Sequence, residues 1–87
     1  MVMGSSVRIY SSTNELIAST NITRSSWDYL DPKEKEILYC DLFWGVSNVP
    51  YDEKGYSVEM TERRGKTFFT KDESADEMAI KIGLILD

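Results

Sequence analysis

Histidine is absent from this chain and cysteine occurs once, at Cys40. The first absence removes the commonest general base and the commonest metal ligand together. The second excludes an internal disulfide framework and zinc sites built on sulfur and imidazole. Basic residues are outnumbered, ten against fifteen acidic, and the net charge of -5 disfavours nonspecific binding to nucleic acid or anionic membranes. No apolar run approaches the length of a transmembrane helix, and the N-terminal MVMGSSVRIY lacks the apolar core of a signal peptide. These absences point to a cytoplasmic, non-enzymatic chain with no cofactor and no metal, whose natural electrostatic partners are basic protein surfaces. Its 87 residues make one domain, with 1–6 small and flexible.

Proline is scarce too, and its two occurrences, Pro32 and Pro50, bracket the densest apolar stretch, DPKEKEILYCDLFWGV at 31–46. Asp31 is placed to cap a helix, Pro32 suits the first helical position because it lacks a backbone N–H, and Glu34 completes a capping-box pattern. Gly45 is placed to close the helix in a left-handed conformation, and Pro50 forbids easy continuation. The spacing therefore predicts a helix over about 32–44, largely buried because Ile37, Leu38, Cys40, Leu42, Phe43 and Trp44 surround most of its circumference. A strand competes over 36–46, since Leu38, Cys40, Leu42, Trp44 and Val46 also alternate; the capping signals favour the helix. On either reading Cys40 is a buried, reduced structural thiol.

On each side of this segment the pattern is strand-like. Val7 to Tyr10 and Leu16 to about Ile22 read as a hairpin joined by the turn-forming SSTNE. Tyr56, Val58 and Met60 alternate with polar residues, and a turn at 62–65, with Gly65 supplying positive φ, would return a partner strand over 66–70. Ser74 with Glu77 signals a last helix whose buried face carries Ala75, Met78, Ala79, Ile82, Ile85 and Leu86. The expected fold is α+β, a small single domain in ββαββα order, with an antiparallel sheet and two helices on one of its faces.

The residues that might carry chemistry are few. Asp72, Ser74 and Asp76 resemble the alternating ligands of a calcium loop only superficially, lacking its glycine and distant glutamate, and read as a helix start. Asn21-Ile22-Thr23 matches a glycosylation acceptor but carries no function without a secretion signal. Arg63, Arg64 and Lys66, at an expected hairpin tip followed by Phe68 and Phe69, are the one basic cluster and the candidate nucleic-acid contacts. Trp27, Tyr29 and Leu30 read first as a hydrophobic lid on the helix start, and Ile80 and Leu84, off the buried face of the last helix, as a pair covered by another part of the chain. If exposed they are candidate partner contacts, Trp27, Tyr29, Ile80 and Leu84 together with Tyr51, Tyr56 and the acids Glu34, Glu36, Asp52 and Glu53.

The reading these features support is a small acidic protein-binding module of the kind phages and mobile elements use as inhibitors or adaptors. Its carboxylates would steer it to a basic surface of a larger protein, one that normally holds nucleic acid, and its aromatics would supply affinity. The alternative is a nucleic-acid-binding regulator using Arg63, Arg64 and Lys66. A homodimer through Ile80 and Leu84 is compatible with both.

Overall fold

Two hairpins, each followed by a helix, make up the structure, a computed structural model describing residues 6–22, 27–60, 63–70 and 72–87. Strands β1 (Ser6–Tyr10) and β2 (Leu16–Asn21) precede a single 3-10 turn, Trp27–Tyr29, and helix α1 (Pro32–Ser47). Strands β3 (Tyr56–Met60) and β4 (Arg63–Thr67) precede helix α2 (Ala75–Leu86). The sheet order is β2-β1-β3-β4 with every neighbouring pair antiparallel. This is the expected α+β domain in ββαββα order.

Alternation places the core. Val7, Ile9, Ala18, Tyr56, Val58 and Met60 point to one side of the sheet, where Leu38, Leu42 and Val46 of α1 and Met78, Ile82 and Leu86 of α2 meet them in one buried cluster. The opposite side, carrying Arg8, Tyr10, Ser57, Glu59, Arg64 and Lys66, is open.

The central segment is a helix, because Asp31 accepts from the Glu34 N–H at 2.8 Å and the four-residue spacing of Leu38, Leu42 and Val46 makes a core-facing ridge. It does not end at Gly45. Asn48 closes it instead, its side-chain amide donating to the Trp44 carbonyl at 2.7 Å, and Gly45 lies inside. A Cβ at Gly45 would sit 2.7 Å from the Ala18 Cβ, so glycine is present to let α1 lie against β2. Nor is the helix buried all round: Ile37, Cys40 and Trp44 are exposed, and Cys40 is therefore not the core thiol the apolar run suggested.

The second hairpin also shifts from expectation. Arg63–Thr67 is strand rather than tip, and Phe68 and Phe69 follow it rather than lie in it. Residue 62, where the expected turn begins, lies outside the described residues, as do Thr23 of the glycosylation match and residues 1–5 of the segment expected to be flexible; Ser6, expected in that segment, is instead the first residue of β1, paired with Asn21. Gly65 takes no positive φ; a side chain there would meet Ile85 at 3.0 Å, so its bareness lets α2 approach. Positive φ occurs instead at Gly55 (104°) and Asn14 (70°). Phe69 is buried against Tyr56 with ring centroids 5.1 Å apart.

Candidate functional site

The structure divides the expected contact residues sharply. Trp27 is fully buried, its indole N–H donating to the Asp87 carboxylate and its ring meeting Tyr39 edge-on at 5.6 Å, with the Lys35 ammonium 5.3 Å from its centre. Tyr56 is buried, with its hydroxyl accepting from the Asp52 N–H at 2.8 Å. Neither ring is presented to a partner, because each supplies the apolar bulk that a short chain needs for its core. Tyr29 is exposed and Tyr51 half-buried. Asp52 is a structural cap for the first hairpin: its carboxylate accepts from the Ser12 hydroxyl and N–H and from the Lys54 N–H. Those hydrogen bonds, first among them the one from the Ser12 hydroxyl, hold Asp52 below its ordinary pKa. Glu36 and Glu53 are exposed, and Glu34, half-buried, lies in the first turn of α1.

The basic trio is split between two sides of β4. Arg63 turns toward the helical side, where its guanidinium grips both carboxylate oxygens of Asp28, at 3.1 and 2.6 Å, and donates to the Leu86 carbonyl. The hydrogen bond from Arg63 lowers the Asp28 pKa, and the same bond raises that of Arg63. Arg63 is thus a structural residue that joins the 3-10 turn to the end of α2. Arg64 and Lys66 lie on the open side of the sheet with Arg8 and Tyr10, and Glu59 pairs with Arg8 at 3.1 Å and Arg64 at 3.4 Å. Tyr10, Glu59, Arg64 and Lys66 border an open recess of about 460 Å³.

Ile80 and Leu84 are presented, at 65% and 82% of full exposure, and α1 adds two residues that sequence reasoning placed in the core, Ile37 at 57% and Trp44 at 71%. All four stand on the sides of the helices turned from the sheet. The helices lie side by side: the Tyr39 hydroxyl is 3.2 Å from where a Gly83 Cβ would be, and burial pushes the Tyr39 phenol up to about 12, assisted by the negative charge of Asp87. At 100° per residue, Cys40 follows Tyr39 onto the outer side, and Leu84 follows Gly83. The outer surface of the pair is therefore apolar in its middle, with exposed Glu36, Asp41, Asp76 and Glu77 on the same helices. The signal for Ile37 and Trp44 was present as the seven-residue spacing of a second stripe. It was hidden because the first stripe, Leu38-Leu42-Val46, sits beside it and makes the whole segment look apolar.

Among the described residues no group of three or more His, Cys, Asp or Glu side chains is placed to hold a metal ion, and no helix is long and apolar enough to cross a membrane. Comparison with protein-family models, curated proteins and solved structures finds no match.

Proposed function

We propose that the chain is a small protein-binding module that docks through the outer surface of the α1–α2 pair. The observation that carries this reading is the exposure of Trp44, Leu84, Ile80 and Ile37 on the helical layer while the sheet-facing sides of the same helices are packed. Four large apolar side chains on one layer of so small a domain exceed the scattered exposure expected of an ordinary surface. Trp44 is the anchor best suited to a partner pocket, and Glu36, Asp41, Asp76 and Glu77 favour a partner whose apolar patch is rimmed by lysine and arginine. A basic surface that otherwise holds nucleic acid fits that description, and occluding it would make the module an inhibitor or adaptor. One free cysteine accords with a cytoplasmic setting.

The test is capture from lysate by the immobilised chain beside its Trp44→Ala/Leu84→Ala variant, both shown to be folded by circular dichroism, with and without nuclease. One stoichiometric protein should bind the parent regardless of nuclease, and the variant should lose at least about 30-fold in affinity for it, the ratio corresponding to a hot spot of about 2 kcal/mol. Equal binding by both chains would refute the reading.

A second reading is favoured by one observation, the gathering of Arg8, Arg64 and Lys66 beside Tyr10 on the open side of the sheet in an otherwise acidic molecule. That face has the cations and the ring that single-stranded nucleic acid uses. Binding of a short oligonucleotide at low salt, lost on Arg64→Ala/Lys66→Ala, would select it over the helical surface.

A further inference from the structure

Phe68 is an exposed aromatic that the helical docking surface does not include. With Pro50, Tyr51, Glu53, Phe69 and Thr70 it lines a recess of about 750 Å³, and none of the six lies in a strand or helix. A neighbouring recess of about 600 Å³ shares Pro50, Tyr51 and Glu53 and continues over Val49, Leu16 and Ile17 to Glu15. Pro50 and Tyr51 are thus a common wall of two apolar hollows. The fold holds these walls in place. The Phe68 ring lies on the bare backbone of Gly55, 3.0 Å from where a Cβ would stand, and the Phe68 carbonyl accepts from the Lys81 ammonium at 2.6 Å. Tyr51 packs on the core, and Asp52 beside it is pinned through its N–H to the Tyr56 hydroxyl and through its carboxylate to Ser12.

We propose that the two recesses form one binding site for an extended, proline-rich segment of a partner protein that carries arginine or lysine. Hydrogen-bonding capacity selects proline. The first recess has no strand edge to which a peptide could add, and its side chains offer only the Glu53 carboxylate and the Tyr51 and Thr70 hydroxyls. The backbone N–H groups of an ordinary peptide would lose water there without replacement, whereas proline has none to lose. Proline-rich chains also hold the polyproline II form before binding, and aromatic-lined hollows on a common wall suit its three-residue turn. Little ordering is needed, which matters at a site this open. Charge selects the basic residue. Glu53 borders both recesses and Glu15 the second, and neither enters an ion pair among the described residues. Lys54 also lines the second recess, but with Asp52 there as well the acids stay in excess. An acidic segment would meet repulsion at Glu53, and a second copy of this chain, at net charge -5 with two widely separated prolines, supplies neither feature. The site adds a second surface to the protein-binding module and uses none of its helical residues, so either reading can fail alone.

The experiment is a titration of the full chain with an oligoproline bearing an arginine at each end, followed by amide and ring-proton NMR. Two control peptides differ from it in one feature each: glutamate replaces the arginines in one, and a glycine-serine run of equal length replaces the prolines in the other. The arginine-ended oligoproline should shift residues 50–53 and 68–70 saturably, and each control should bind at least about tenfold more weakly. This comparison uses the unmodified chain and is free of folding defects. Phe68→Ala removes an exposed ring and should weaken binding at least about fivefold, while Glu53→Lys, also at an exposed position, should turn the preference towards the glutamate-ended peptide. Absence of saturable shifts, shifts that spare 50–53 and 68–70, equal binding of either control, or undiminished binding by the Phe68 variant would overturn the proposal.

Discussion

Three ionisable side chains tie distant parts of this fold together, and each sets an expectation for stability against pH. Asp28 and Asp52 have folded-state pKa values below their ordinary 3.8, held there first by the hydrogen bonds from Arg63 and Ser12. A depressed carboxyl contributes stability that is present above its unfolded value and is lost as pH falls through the folded one. Unfolding monitored in urea should therefore show stability declining as pH drops below about 4, and Asp28→Asn should flatten that acid limb. Tyr39 has the opposite sign. Its phenol, raised to about 12 from 10.0 by burial, contributes stability that is complete below pH 10 and disappears as pH rises towards 12. Tyr39→Phe should remove that part of the alkaline decline, whereas an unchanged alkaline limb would mean that the phenol is not desolvated. None of these pairings was legible in the sequence, since Arg63 and Asp28 are 35 residues apart and Trp27 and Asp87 are 60 apart. Local patterns announce a residue's own element but not the partner that folding brings to it, which is why Trp27 read both as a lid on the helix start and as a partner anchor, and Arg63 as part of an exposed tip.

Element identities were far more legible than element ends. The helix-start signals at Asp31 and Ser74 act where the sequence puts them, each side chain accepting from the N–H three residues on, because capping is decided within one turn. The C-terminal end of α1 was misplaced because Gly45 carries two meanings, helix stop and close approach, and only the packing of α1 on Ala18 selects the second. Gly65 was misread for the same reason, with Ile85 in place of Ala18. Gly45→Ala distinguishes the meanings by sign. Alanine inside an exposed helix should stabilise by roughly 1 kcal/mol, but a methyl 2.7 Å from the Ala18 Cβ must push α1 off β2, and overpacking of this kind costs about 1 to 3 kcal/mol. A lower urea midpoint is expected, and a higher one would show that the helix can shift without loss. The same contact explains the small residue on β2: Ala18 and Gly45 together bring the helix axis close enough for Leu42 and Val46 to reach the core.

At the scale of the molecule, two hairpin–helix halves could in principle be two weakly joined units, yet the contacts between them argue for one. Central β1 and β3 pair across the boundary, with Ile9 opposite Val58. Trp27 of the first half is fixed by Asp87 of the second, Lys35 meets the same carboxylate at 2.7 Å, and Tyr39 rests on Gly83. Each half lays its own helix on its own hairpin, and the buried core is nevertheless one cluster with residues of both. This coupling predicts a single cooperative transition. The two tryptophans make it measurable, because Trp44 is already exposed in the folded state and only Trp27 moves from a dry site into water. In a Trp44→Phe background, the red shift of Trp27 emission should coincide with the loss of helical circular dichroism along a urea titration, at one midpoint and with a slope of about 1 kcal/mol per molar. A red shift preceding the loss of helix would mean that the seam at Trp27 and Asp87 opens while the halves persist, and the domain would then be two docked units. Coincidence would instead place the seam inside the cooperative core, leaving the outer surface of the helices free for a partner without disturbing what holds the halves together.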